Sequence, residues 1–350
     1  TQEMIQSFNK LHQYINEKIY LQAMENTIKI AEQCNFKLKK EKIFLPSIIE
    51  HIDEFIYLHQ LCMEGLEKKI IANRINSVKY RKQILYELNV IKQQGFVTYF
   101  LIIQDIVKWC KNNNIFVGDG RGSVSGSLVA FLIGITNVDP IKHNLTFARF
   151  ISSDRVDLPD IDIDFEDKKR HEVREYIERK YGIDNIASVS TFLMMKSKIV
   201  FRDVCRVFDI PIEIVNFVSK FIEIDKNVDY SSAEREISYA SDFNKIFNTQ
   251  PECIDFKKAY PKVINYCSQL EGQVRGIGKH AAAIILARDN LKQSDRCNLT
   301  KRNDTITINW DKKDAEYMGM LKIDILGLSN LSIMHYCTDL IKQNHNIDID

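Results

Sequence analysis

The stretch Val156-Asp157-Leu158-Pro159-Asp160-Ile161-Asp162-Ile163-Asp164-Phe165 decides how this chain is read. Carboxylates fall at 160, 162 and 164, and Ile161, Ile163 and Phe165 fill the gaps. That alternation predicts a β-strand with one buried face. Residues two apart point the same way, so the three aspartates would share a face, with neighbouring Cα atoms roughly 6.5–7 Å apart. Carboxylates crowded in this way repel one another and raise each other's pKa unless a cation sits between them. An all-oxygen donor set suits a hard dication, Mg²⁺ above all. The alternative is a charged sheet edge standing in water, where it discourages aggregation.

The rest of the composition sets limits. A chain of 350 residues fits about two or three domains. The 48 basic and 47 acidic residues leave a net charge of +1, so any nucleic-acid surface must be local. The eight cysteines include no C-x-x-C pair, which argues against a zinc site or a disulfide framework and for reduced thiols in a cytoplasmic protein. No apolar run is long enough to span a bilayer, and no signal-peptide pattern is present. The chain starts at Thr1 and stops in a polar run, as expected of an excerpt from a longer protein.

Residues 1–110 read as mostly helical. Tyr20–Cys34 carries Leu21, Met24, Ile28 and Ala31 at helical spacing, and Lys37–Lys42 is a charged break. Tyr80–Gln93 repeats the period and Gly95 stops it. Thr98–Lys111 is a further helix. Then a short strand at 115–117 leads into Gly118-Asp119-Gly120-Arg121-Gly122-Ser123-Val124-Ser125-Gly126-Ser127, with a helix expected to begin near Ser123. Glycines admit close backbone approach and helix-start N–H groups point at an anion, so this loop reads as a phosphate cradle or simply as a tight turn. It lacks the lysine and spacing of a Walker loop.

Asp167–Tyr181 reads as a charged, solvated helix. Met194–Phe208 is more basic: Lys196, Lys198, Arg202 and Arg206 stand against Asp203, which suits a helix facing nucleic-acid phosphates. Residues 212–270 read as helical, with a loop near Asp225–Ser232 and breaks at Pro251 and Pro261. Gly272–His280 reads as a second glycine-rich basic loop, in which Arg275 and Lys279 suit a nucleic-acid backbone, and Ile284-Ile285-Leu286 as a buried strand. Thr305–Ile308 is a strand and Asp311–Met318 a short capped helix. In Leu321-Lys322-Ile323-Asp324-Ile325-Leu326-Gly327-Leu328, Lys322 and Asp324 share the polar face of another strand, and Ser329 is placed to cap a closing helix.

Taken together, a Gly-Ser loop, a D-x-D strand and a lone aspartate on a second strand suit two-metal phosphoryl chemistry. The same segments carry a resemblance. The runs at 118–130, 135–140 (Ile-Thr-Asn-Val-Asp-Pro), 147–150 (Phe-Ala-Arg-Phe), 158–165, 201–207, 278–282 and 321–328 resemble, in the same order, the palm of the C-family bacterial replicative DNA polymerases. The resemblance runs from about residue 20 to the end. It implies an α+β fold, with a polymerase-beta-like nucleotidyltransferase palm (a mixed sheet with helices) and an inserted helical thumb. The palm's first segment would be 1–192, the thumb 193–280 and the palm's second segment 281–350.

Carried over by position, Asp160, Asp162 and Asp324 would be the metal-binding catalytic aspartates; spacing alone equally allows Asp162 with Asp164. Gly122, Ser123, Arg149 and Lys322 would bind the triphosphate. Lys196, Lys198, Arg202, Arg275 and Lys279 are the candidates for DNA. The implied cofactor is a pair of Mg²⁺ ions, with Mn²⁺ as a substitute. The implied partners are primer-template DNA, a dNTP, and fingers and other polymerase segments or replisome subunits such as the sliding clamp; without the fingers the isolated chain is expected to polymerise poorly or not at all. One departure is Asp119, where the family usually has proline; a negative charge there weakens an anion trap. The competing reading from another class is a silent DNA-binding or assembly subunit that keeps the fold.

Overall fold

The computed structural model describes residues 2–37, 39–41, 45–48, 51–73, 77–152, 159–222, 245–294, 297–302 and 305–349. Val156, Asp157 and Leu158, and the loop expected near Asp225–Ser232, lie outside the described residues. The chain divides into two compact units, 1–41 and 42–350. The first is a pair of helices, Gln2–Leu11 and Glu17–Gln33. Asn16 caps the second by accepting the Lys18 N–H, and buried Tyr20 hydrogen-bonds Asn9 and stacks on Phe8.

The second unit is a mixed α+β structure built on one six-stranded sheet. Its strands are β1 (Ile163–Glu166), β2 (Ile186–Met194), β3 (Val274–Leu286), β4 (Leu299–Arg302), β5 (Thr305–Ile308) and β6 (Leu321–Leu328), in the order β1-β6-β3-β2-β5-β4. The β1–β6 and β2–β5 pairs are parallel and the others antiparallel. One sheet face packs on the helices Glu54–Asn73, Ser77–Gln93, Val97–Asn112 and Arg170–Tyr181. Helix Val97–Asn112 is apolar through most of its circumference, with Phe100, Leu101, Ile102 and Ile103 all buried, because it lies at the centre of that layer. Helix Glu54–Asn73 comes so close to the chain at Leu132 that a Cβ on Gly65 would stand 2.1 Å from the Leu132 carbonyl oxygen. Ala187, Val189, Ile285, Ile308 and the helix Lys312–Tyr317 form a second core.

Between β2 and β3 the chain makes a helical excursion: Ser197–Val207, Ile212–Val218, Pro251–Ala259 and Pro261–Leu270. It has its own core of Val200, Phe201, Phe247, Phe256 and Ile264, with the Phe201 and Phe256 rings edge to face at 5.1 Å. Pro251 and Pro261 begin helices, where the missing N–H costs nothing.

Several local expectations are corrected. Residues 115–117 form no strand; only Val117 bridges to Phe165. The helix expected near Ser123 is a single 3₁₀ turn, Gly122–Gly126; the α-helix Leu128–Leu132 follows it, capped by Ser127, which accepts the Ala130 N–H. Strand β1 starts at Ile163, so Asp160 and Asp162 lie on extended backbone just before it. Gly272–His280 is no loop: β3 runs from Val274 straight through it, paired with Thr191–Met194 of β2. Strands β2 and β4 went unread. Ser329 is the first residue of the closing helix Ser329–His345 and makes no capping hydrogen bond.

Candidate active site

The parallel register brings two distant acids together. Ile163 pairs with Ile325, so one step back along both chains sets Asp162 beside Asp324. Alternation on β6 buries Leu321, Ile323 and Ile325 and turns Lys322 and Asp324 to the other face. The Asp160, Asp162 and Asp324 carboxylates converge there, with one oxygen from each lying within 4.8 Å of the others. Asp164 stands apart from this group and pairs with Arg121 at 3.3 Å.

Nothing in the backbone ladder holds Asp160 and Asp162, and Tyr99 does so instead. Its hydroxyl, on the buried helix below, accepts the N–H of Ile161 at 3.0 Å. Ile161 is itself buried, so this contact clamps the segment between its two acids. Burial pushes the Tyr99 phenol upward, and the charges of Asp160, Asp324 and Asp162 add to that.

The electrostatics follow from the crowding. Two unit charges about 5 Å apart at an effective dielectric of 20 repel by on the order of 3 kcal/mol. Burial raises the Asp162 pKa, and Asp160 and Asp324 raise it further against the pull of Arg121 and Lys322. Lys322 pairs with Asp324 Oδ2, and Lys312 with Asp160 Oδ2 at 2.8 Å. Asp324 Oδ1 is buried and has no hydrogen-bond partner. A buried carboxylate oxygen normally finds a donor. An orphaned one on a residue clustered with two further carboxylates fits a divalent cation held by oxygen ligands.

The glycine-rich turn is sewn to the same place. The Gly118 N–H donates to the Asp164 carbonyl at 2.8 Å, and a Cβ on Gly118 would meet the Asp164 side chain at 3.2 Å. Gly122 has φ +63°, a conformation that disfavours other residues, and it leads into exposed Ser123. Gly126 lies against the next turn, where a Cβ would stand 2.8 Å from the Thr146 carbonyl oxygen. That contact fixes the short turn Phe147–Arg149, at whose end Arg149 is exposed. The Asp119 carboxylate accepts the Asn137 side-chain amide at 2.7 Å, and its carbonyl accepts the Asn137 N–H at 2.7 Å. The acid that departs from the family pattern is thus spent on bracing the turn.

Beneath the turn lies Glu87, fully buried on the helix Ser77–Gln93. It accepts Gln83 Nε2, Ser127 Oγ, and the Leu128 and Val129 N–H groups, all at 2.9–3.0 Å. Burial raises its pKa and these four donors pull it back. It closes the N-terminal end of the short helix Leu128–Leu132 and holds the Gly-Ser turn from below.

The basic residues assigned to DNA lie around the root of the helical excursion, and their freedom differs. Lys196 and Lys198 flank the start of Ser197–Val207. Arg202 is committed to Asn216 and Ser219 at 3.1 and 3.2 Å. Arg275 pairs with Asp203 at 3.0 Å, and Lys279 reaches Thr305 at 3.4 Å. Sequence reasoning missed Tyr99, Glu87 and Lys312. Glu87 and Tyr99 sit in ordinary amphipathic patterns, and Lys312 in a charged run; only tertiary contact distinguishes them.

The family model described as the bacterial DNA polymerase III alpha NTPase domain matches residues 56–327. Among similar proteins, the DNA polymerase III subunit alpha of Staphylococcus aureus strain MRSA252 is 36% identical over 345 residues, covering 98% of this chain and 30% of the relative. The subunit from Buchnera aphidicola of Schizaphis graminum is 35% identical over 332 residues, covering 92% and 28%. That of Aquifex aeolicus is 34% identical over 347 residues, covering 94% and 29%. The chain thus spans less than a third of the length of these relatives. The cluster of three aspartates and these matches agree: the chain belongs to the bacterial DNA polymerase III alpha family.

Proposed function

We propose that this chain is the palm and thumb region of a template-directed DNA polymerase, which joins a dNTP to a primer 3′-hydroxyl in DNA replication. The observation that carries the reading is the convergence of the Asp160, Asp162 and Asp324 carboxylates, together with a buried, unpartnered oxygen on Asp324. These three acids would hold the catalytic Mg²⁺ ions. When bound, such ions polarise the attacking hydroxyl and offset charge on the triphosphate and leaving oxygen.

The chain's own residues supply the rest. Tyr99 orients the two acids before β1. Ser123 and the N–H groups that follow Gly122 face the triphosphate as hydrogen-bond donors, with Arg149 and Lys322 as its cations. Segments 1–192 and 281–350 form the palm, and 193–280 the thumb. In support, β2 and β3 continue through both boundaries, so a helical body with its own core rides on a strand pair of the palm sheet. Lys196, Lys198 and Lys279 contact the DNA backbone, joined by Arg202 and Arg275 if their internal pairs open. Fingers and clamp-binding segments would complete the enzyme.

The test is primer extension by the complete polymerase carrying Asp160→Ala or Asp162→Ala. The expected result is a loss of at least about a thousandfold, as for groups that hold transition-state charge. Synthesis within a few-fold of wild type would reject the assignment. A silent DNA-binding subunit would keep DNA affinity and bind no Mn²⁺ at these aspartates. The intact cluster of acids argues against it, because three crowded carboxylates are costly to keep with no metal to hold.

A further inference from the structure

We propose that Lys312 is a triphosphate-binding residue that is held in reserve on Asp160 and exchanges this carboxylate for a phosphate when metal arrives. This rests on the metal reading given above and deepens it.

Three cations stand against the acids of the site: Arg121 on Asp164, Lys322 on Asp324 and Lys312 on Asp160. They are not equally mobile. The Lys322 and Asp324 side chains are each 10% exposed, so that pair is locked within the sheet face. The Lys312 and Asp160 side chains are 45% and 52% exposed. Lys312 is the first residue of a short helix whose backbone is pinned by the Asp311 side chain on the Asp314 N–H. The backbone is therefore fixed while the long side chain, which also lies 4.0 Å from Glu316, can turn at the rim of the site.

The Asp160 oxygen that accepts Lys312 belongs to the carboxylate expected to bind a dication. A strongly hydrated ammonium and a dication compete for such an oxygen, and the dication repels the ammonium once bound. At 45% exposure the Lys312 side chain keeps the ammonium charge that lysine carries in water. Displaced from Asp160, it sits beside a site that takes up a polyanion, and phosphate oxygens are its natural partners. The same contact also accounts for the metal-free state, in which Lys312 offsets part of the repulsion among the acids.

The consequence has two opposite signs. Lys312 competes with metal when no nucleotide is present, and it assists nucleotide once metal is bound. A residue that merely supports the fold would weaken both.

The experiment compares Lys312→Met and Lys312→Arg with wild type. Mn²⁺ binding is followed by electron paramagnetic resonance without nucleotide, and dTTP binding by calorimetry in Mg²⁺. Removing an exposed ion pair predicts that Lys312→Met binds Mn²⁺ about two- to fivefold more tightly. Losing one charge-assisted phosphate contact predicts about tenfold or more weaker dTTP binding. Lys312→Arg, which keeps the charge, should restore most of the dTTP affinity. Unchanged dTTP affinity in Lys312→Met overturns the proposal while leaving the metal reading intact. So does a loss of Mn²⁺ affinity in step with dTTP, which marks a structural role. Failure of wild type to bind Mn²⁺ overturns the metal reading and this proposal with it.

Discussion

Changing Tyr99 to Phe tests how the acids are held before any ion arrives. The ring and its packing in the buried helix Val97–Asn112 remain, and only the hydroxyl that accepts the Ile161 N–H is lost. Ile161 and Tyr99 are each 2% exposed, so water does not readily replace the acceptor. A buried N–H without a partner costs about 1–3 kcal/mol. Relief from burying the phenol offsets part of this, leaving a loss of about 1–2 kcal/mol and, for a chain of this length, a melting point lower by about 1–3 °C. A second effect is specific to the site. Residues 159–162 make no ladder contacts, so the Ile161 anchor is what orients Asp160 and Asp162. Loss of such an outer contact weakens metal binding by about tenfold or more. Mn²⁺ titration by electron paramagnetic resonance, run beside thermal unfolding, reads both effects. If Tyr99→Phe melts lower but binds Mn²⁺ as tightly as wild type, the clamp does not position the acids and the reasoning fails.

Three more expectations follow from the geometry. Glu87→Gln turns an NH₂ towards donors and leaves the Leu128 or Val129 N–H without an acceptor, so urea unfolding should show a loss of about 2–4 kcal/mol; a loss under about 0.5 kcal/mol would show that the carboxylate does not organise the turn. Gly126→Ala must push its turn away from Thr146, at a stability cost of about 1–3 kcal/mol, and calorimetry should show weaker triphosphate binding as Arg149 and Ser123 move apart; unchanged affinity would separate the two turns functionally. The folded state holds the Asp162 proton more tightly than the unfolded chain does, so this group favours folding at low pH and its contribution is lost as pH rises through the raised value. Without divalent ions, unfolding free energy should therefore slope downward above the ordinary carboxylate pKa, and Asp162→Asn or added Mg²⁺ should flatten that slope.

Local alternation made the acids legible. Leu321, Ile323 and Ile325 against Lys322 and Asp324 gave the face of β6 correctly, and burial alternates from Asp160 to Phe165 as the sequence implies. What the sequence could not show was decided by distant partners. Ser123 carries a plausible capping hydroxyl, but Glu87, on another helix, selects Ser127 and Leu128 as the helix start. Gly276 and Gly278 read as loop residues because glycine weakens an isolated strand. Pairing with β2 keeps that backbone extended all the same. Arg275 and Arg202 looked like free cations until their acid and amide partners were placed beside them. The aspartate triad was suggested by the resemblance, while the local spacing left Asp164 equally eligible; Arg121 draws that acid aside.

The parallel ladder between β1 and β6 also has a bearing on how the molecule comes to exist. Its two halves are separated by about half of the second unit, and Lys312 and Asp160 lie 152 positions apart. Closing so long a stretch of chain is entropically costly and slow, so this junction belongs to the late events of folding. A ribosome-bound chain that has not yet released residue 325 has no ladder and no converged acids. Convergence of Asp160, Asp162 and Asp324 is therefore a mark of a fully synthesised second unit.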